Sequence, residues 1–217
     1  MVVGVRPPSH LGLSPRRPDI RTIRRMEIRP VPYDHADAVA LDRLVQREYA
    51  QRYGEGDMTP LDPAMFRPPH GTYLLAYEDG RPLATGGWRS QDANPEGYAD
   101  GDAEIKRMFV IEEARGRGLA RRILAALEAD ARAAGRTRMV LETGTKQPEA
   151  LALYASCGYR PVPKFGLYRT YEDSRCMGKA LVAAGVEAGS GTATGTGAGT
   201  ATGTSAGVRG AGSGAGV

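Results

Sequence analysis

The sequence is poor in the residues that most often hold metals or covalent links. Among 217 residues there are two cysteines, three histidines and one tryptophan. Cys157 and Cys176 form no C-x-x-C pattern, which excludes a zinc knuckle or a thioredoxin-type pair and predicts reduced thiols in a cytoplasmic protein. His10 and His70 lie in proline-rich loops and His35 stands at a helix start, so neither a metal site nor a catalytic triad is expected. The nucleoside-triphosphate loop, G-x-x-x-x-G-K-[ST], is absent. No apolar run is long enough to span a membrane or to serve as a secretory core.

Acidic residues are scarce at one end. Residues 1–25 hold six arginines against the single acid Asp19, a surplus of five, whereas the whole chain is only +4 and Glu187 cancels Arg209 in the tail. Residues 26–182 are therefore close to neutral. The basic pI of about 9.2 belongs to the leader, and no nucleic-acid partner is expected for the folded part. From about Ala183 the chain is almost wholly Gly, Ala, Thr and Ser, too poor in apolar side chains to bury a core. The expected organisation is a disordered basic leader over 1–25, one domain over 26–182 and a disordered tail over 183–217.

Within 26–182 the pattern alternates. Strand-like runs occupy Met26–Val31, Thr72–Tyr77, Pro82–Trp88, Glu104–Val110, Arg138–Thr143 and a final stretch near Cys176–Val182. Glu78-Asp79-Gly80 reads as a hairpin turn. Helices are expected from His35 to about Arg52, from Leu119 onward, and over Pro148–Ser156. The middle helix has Leu119, Ile123, Leu127 and Ala131 on its apolar stripe, with Arg121, Arg122, Glu128 and Asp130 expected on the solvent face.

That helix opens unusually. Ser, Thr, Asp or Asn normally caps the orphan N–H groups of a first turn, but here the entry is Arg115-Gly116-Arg117-Gly118. Glycines let a ligand approach the backbone, and two arginines add positive charge where the helix dipole is already positive. The combination predicts an anion site in which a phosphate-bearing ligand replaces the missing cap. A dinucleotide fingerprint, with Glu142 as its downstream acid, fits poorly. Its third small position falls on Arg121, and five residues separate Val110 from Gly116 where an immediate turn is required.

Arg115-Gly116-Arg117-Gly118-Leu119-Ala120 resembles the Q/R-x-x-G-x-G/A signature of the GNAT superfamily of N-acetyltransferases, and Leu153-Tyr154-Ala155-Ser156-Cys157-Gly158-Tyr159 is similar to its L-Y-x-x-x-G-F segment. The resemblance runs from Met26 to Leu181. It implies an α/β (α+β) fold with a central mixed, mostly antiparallel twisted sheet, flanking helices, and a cofactor cleft at a splayed strand pair. It also implies acetyl-coenzyme A as co-substrate, without a metal, and a primary amine as acceptor, attacked directly in a ternary complex. The implied cofactor residues are Met108, Phe109 and Val110 on the strand, Arg115, Gly116, Arg117, Gly118, Leu119 and Ala120 in the loop, and Gln147, which stands where the family often has Asn.

An alkyl ammonium, with a pKa of about 10.4, must lose a proton before it can attack a thioester. Glu104 is the expected base, at a position where some members carry a catalytic Glu. Its alternative is a strand carboxylate paired with Lys106. Tyr154 is the expected acid for the leaving thiolate, with a structural helix tyrosine as the alternative. Cys157 is a poorer candidate nucleophile. Tyr49, Tyr53, Glu55 and Asp57, together with Pro163–Tyr168, are candidates for the acceptor side, unless Tyr49 packs the helix and the acids form a solvated turn. Trp88 lines the cleft or packs the core. The favoured acceptor is a small molecule. A protein lysine or N-terminus, and a non-catalytic acyl-coenzyme A module, stay open. No membrane partner is expected, and a homodimer is admitted.

Overall fold

The computed structural model describes residues 25–181. The leader up to residue 24 and the tail from residue 182 lie outside the described residues, and so do the expectations placed on them. Seven strands form one sheet: β1 (Met26–Pro30), β2 (Gly71–Glu78), β3 (Arg81–Gln91), β4 (Asp102–Val110), β5 (Arg138–Gly144), β6 (Arg160–Pro161) and β7 (Ser174–Ala180). Three helices accompany them: α1 (Ala36–Tyr53), α2 (Leu119–Ala133) and α3 (Pro148–Ser156). The sheet order is β1-β2-β3-β4-β5-β7-β6, antiparallel throughout except for the β4–β5 pair.

Local chemistry explains the elements. The β2–β3 hairpin turns on Asp79 and Gly80, whose φ values of 50° and 83° suit a turn matched to the twist of its strands. His35 caps α1, its Nδ1 accepting from the Asp37 amide at 3.2 Å. β2 is buried along nearly its whole length because both faces are covered. On one face of the sheet, a Cβ at Gly86 of β3, opposite Leu74 of β2, would run into Met108 and crowd Ile123 of α2. On the other, Tyr33, Phe66 and Tyr73 stack with centroids 4.7–5.4 Å apart, and the Tyr77 hydroxyl donates to Asp37 of α1 at 2.9 Å. Trp88 is 1% exposed and its indole N–H donates to Asp130, which places it in the core rather than the cleft.

The site is positioned by what β4 does along its length. Parallel pairing with β5 covers only Asp102–Glu104 against Arg138–Val140. Arg138 holds this closed end together through two bonds to buried Asp102, at 2.7 and 2.8 Å. From Ile105 onward the strands diverge and the β4 edge facing β5 has no strand partner. On its other edge β4 carries one extra residue opposite Thr85–Gly87, and at this bulge Arg107 takes φ 57°.

Two expectations change. Glu128 of α2 is 9% exposed rather than on the solvent face, because Tyr159 donates to it at 3.1 Å and Lys179 at 2.6 Å. Strand β6, two residues that pair with β7, has no alternating pattern by which it could be read from sequence.

Candidate active site

Two cavities open along the splayed strands. The first is a groove of about 440 Å³ between α1, the free edge of β4, the start of α2, and α3. At its floor Gly118 is the N-cap of α2 in left-handed conformation, φ 77°, with no side chain bonded to the first-turn amides. Gly116 is also left-handed, and a Cβ at either glycine would project into open space. These orphan amides, the two glycines and the unpaired edge of β4 fit a ligand with a phosphate at one end and an amide-bearing arm at the other. Of the ten residues expected to hold the cofactor, all but Arg117 line this groove. Arg117 pairs instead with Glu78 of β2. Arg115 bonds the Val110 carbonyl at 3.1 Å and Glu48 of α1 at 2.6 Å. Gln147 accepts from the Thr143 hydroxyl at 2.7 Å and borders both cavities.

The second cavity, about 240 Å³, lies deeper between β4 and β5. Tyr49, Tyr53, Glu55 and Asp57 line it from the end of α1 and the following loop, and Tyr168, Tyr171 and Asp173 from the segment before β7. Of the residues expected on the acceptor side, Tyr49, Tyr53, Glu55, Asp57 and Tyr168 line this cavity and Pro163–Leu167 do not. The cavities share Tyr49, Met108, Gln147, Ala150 and Tyr154, so one continuous surface joins them.

Tyr154 stands at that junction, 6% exposed, edge-on to Tyr159, with no hydrogen-bond partner for its hydroxyl among the described residues. Burial, with Tyr49 and Cys157 adding to it, pushes its phenol well above the ordinary value of 10.0. The group therefore stays protonated at neutral pH and is free to donate.

Glu104 takes the ion-pair arrangement. It is fully buried, does not line the cavity, and receives Arg89 at 2.7 Å, Lys106 at 2.8 Å, Tyr98 at 2.9 Å and Gln91 at 3.1 Å. Burial works to raise its pKa, but Lys106 and Arg89 outweigh that and hold it below 4.5. A carboxylate so saturated is not placed to take a proton from an amine in the cavity, which corrects the expectation of a base at this position.

Among the carboxylates that line the cavity, Glu142 is the one carried by β5. Burial raises its pKa above 4.5, the charges of Glu104 and Asp57 reinforce the rise, and the Ser174 bond and Lys106 oppose it. Among the described residues, its carboxylate takes one hydrogen bond, from the Ser174 hydroxyl at 2.6 Å. In the sequence, Glu142 stands out only as the downstream acid of a poorly fitting dinucleotide fingerprint. What identifies it is the divergence of β5 from β4 two residues earlier, a tertiary fact.

Arg107 is a second residue the sequence did not single out. Its guanidinium, 4% exposed, pairs with Asp42 of α1 at 2.7 Å and with Asp57 of the loop. Asp57 also accepts from the Tyr168 hydroxyl at 3.2 Å, while that hydroxyl accepts the Met58 amide at 2.6 Å. The cavity roof is thus tied to the floor. Asp57 has its pKa raised by burial and lowered further by Lys106 and Arg107, with a net fall below 3.8. Among the described residues no group of three or more His, Cys, Asp or Glu could hold a metal ion, and no helix is long and apolar enough to cross a membrane.

The family model for the acetyltransferase (GNAT) family matches residues 38–159. An IAA acetyltransferase from Azospirillum brasilense is 46% identical over 68 residues, which are 31% of this chain and 44% of that relative. The chain thus matches less than half the length of that protein. Among solved structures, a Klebsiella pneumoniae protein assigned as an acyl-CoA N-acyltransferase is 26% identical with a TM-score of 0.60, over 72% of this chain and 98% of that one. An acetyltransferase from Salmonella typhimurium, solved with its cofactor acetyl-CoA, shares the fold at 18% identity and a TM-score of 0.56, over 74% and 96% of the two chains.

Proposed function

Because the chain belongs to the GNAT acetyltransferase family, we propose that it transfers an acetyl group from acetyl-coenzyme A to the primary amine of a small molecule, by direct attack where its two cavities meet. The observation that carries this reading is the shared wall: a groove suited to a phosphate-bearing acyl donor and a separate acid-lined cavity have Tyr154 and Met108 in common.

Acetyl-coenzyme A, when bound, supplies an activated acetyl thioester. The residues suited to hold it are Gly116, Gly118 and Ala120 through the backbone of the loop, Arg115 by charge, and Met108, Phe109 and Val110 along the free strand edge. Glu142 takes a proton from the acceptor's ammonium group, either directly or through water, and so exposes the lone pair. Its raised pKa makes it a better proton acceptor than an exposed carboxylate. As the new N–C bond forms and the C–S bond breaks, Tyr154 gives its proton to the departing thiolate. A thiol titrates near 8.5, so transfer from a buried phenol requires that the proton return from solvent or from the amine in the same cycle. Glu104 keeps Lys106 and Arg89 neutralised beneath the cavity and fixes β4 in place.

The test is thiol release from acetyl-coenzyme A across a panel of primary amines, with cofactor affinity measured by calorimetry in parallel. Amine-dependent release that falls strongly in Tyr154→Phe at unchanged cofactor affinity supports the reading. Tight cofactor binding without release for any amine or lysine peptide would make the protein a binding module.

A further inference from the structure

The acceptor cavity has more carboxylate than its own cations can neutralise. Lys106 is taken up by Glu104, and Arg107 by Asp42 together with Asp57. Glu55, Glu142 and Asp173 also line the cavity, and none of them makes a salt bridge with a described residue. Independently, Tyr154 brings a nearly buried hydroxyl to the same space without a protein partner, a polar group left for a ligand to satisfy.

The carboxylates stand at two poles. Glu142 pairs in register with Cys176, and three residues on, just past the end of β5, the Thr145 amide donates to the Asp173 carbonyl at 2.8 Å. At a rise of about 3.3 Å per residue, the backbone positions of the two acids are roughly 10 Å apart along the strand direction. Between them lies Gly144, where a Cβ would overlap the phenol of Tyr53, so the hydroxyl end of Tyr53 lies against the strand between the two positions. Asp173 lines the same cavity as Tyr53, and the Tyr53 phenol has its pKa raised first by burial and next by the charge of Asp173. Lys146 lies over the Tyr53 ring at 5.3 Å but forms no salt bridge with Asp173.

We propose that the acceptor is a small dication: its reacting nitrogen is held at Glu142 and Tyr154, a second ammonium at Asp173, and the methylene chain between them on Tyr53. This rests on the amine-acetylation reading above and adds the substrate class to it. A second cation beside an aromatic face and an unpaired carboxylate gains from both, and the gain is largest where water is partly excluded.

The experiment compares diaminopentane, pentylamine and aminopentanoate as acceptors for the full-length protein. The three match in chain length and differ at the far end: cation, methyl group or anion. The diamine is expected to exceed pentylamine in kcat/KM by about tenfold, with aminopentanoate slowest. Asp173→Asn should bring diamine and monoamine to within about twofold of each other, with cofactor affinity retained. As a readout independent of turnover, calorimetry should show diaminopentane binding the coenzyme A complex more tightly than pentylamine. Equal rates and equal binding for the two amines would overturn the dication inference and leave amine acetylation standing. Failure to bind or acetylate any of the three, or of a wider amine panel, would overturn both.

Discussion

The cofactor groove and the acceptor cavity adjoin each other and are built on opposite principles. The groove uses backbone: first-turn amides of α2, the open edge of β4, and two glycines whose conformation lets a ligand come close. The cavity uses side chains brought from α1, the loop after it, β4, β5, α3 and the segment before β7. Backbone recognition needs a particular local sequence and tolerates little else, whereas a side-chain wall can be rebuilt residue by residue. On the proposed reading, the groove constrains what donor the protein takes, and the cavity decides which acceptor. Substitutions at the junction should affect both functions less than they affect the step that joins them.

The largest effects are expected there. Tyr154→Phe and Glu142→Gln should each lower kcat by about 10²–10⁴ while cofactor affinity stays nearly constant, since neither holds the phosphates. Glu142 has its pKa raised above 4.5, so the wild-type rate should climb with pH through that raised carboxylate value as the base form appears. Glu142→Gln should abolish this acidic limb. Steady-state rates over a pH series check both points, and wild-type rates in both variants would sink the acid–base assignment.

Next comes the support beneath the cavity. Glu104→Gln removes the charge that balances two buried cations, and loss of one member of such a cluster costs about 3–5 kcal/mol of stability. Because the folded-state pKa of Glu104 is lowered, its contribution is present above the unfolded-state value and is lost as pH falls through the folded one. Thermal melts should show a lower Tm near neutrality, with the difference from wild type shrinking in acid. An unchanged Tm at pH 7 would contradict the structural role and return Glu104 to candidacy as a base.

In the groove, Gly118→Asp puts a side chain on a left-handed residue and a carboxylate where an anion is expected. Left-handed strain costs about 1–2 kcal/mol of stability, and repulsion between the new carboxylate and the phosphates at the helix start should weaken cofactor binding by about two- to fivefold or more. Calorimetry on folded variant decides, and unchanged affinity would remove the loop from the binding site.

This contrast also explains what could be read in advance. The loop Arg115–Ala120 was legible because a helix start without a cap is a local anomaly within six consecutive residues. The order of strands and helices was legible for the same reason, since period and turn chemistry are local. Glu104 and Glu142 were not separable. Both are carboxylates on strands beside the cleft, and their difference lies in partners 13–15 residues away for Glu104, through Gln91 and Arg89, and 32 away for Glu142, through Ser174. Arg107 was hidden more deeply. Nothing in Ile105-Lys106-Arg107-Met108 announces a bulge, and only the pairing of β3 against β4 shows the extra residue that aims its side chain at Asp42 and Asp57.

The smallest expected effect tests whether the groove is already tuned against itself. Arg115 carries charge for a phosphate, yet its guanidinium is engaged by Glu48, which also holds Arg52 at 2.7 Å. An incoming anion must compete with that carboxylate. Glu48→Gln keeps the shape of the side chain and removes its charge, freeing Arg115 for the ligand while Arg52 keeps its pairing with Glu149. Because the Arg115–Glu48 pair is largely exposed, its strength is modest, about 0.2–1 kcal/mol. Acetyl-coenzyme A should therefore bind about two- to fivefold more tightly to the variant at low salt. The gain should shrink toward nothing as ionic strength rises and the Debye length falls to about 3 Å near 1 M salt. Tightening that persists at high salt would point to a change in groove shape instead. Weaker binding would mean that Glu48 serves to hold Arg115 in its productive orientation rather than to compete for it.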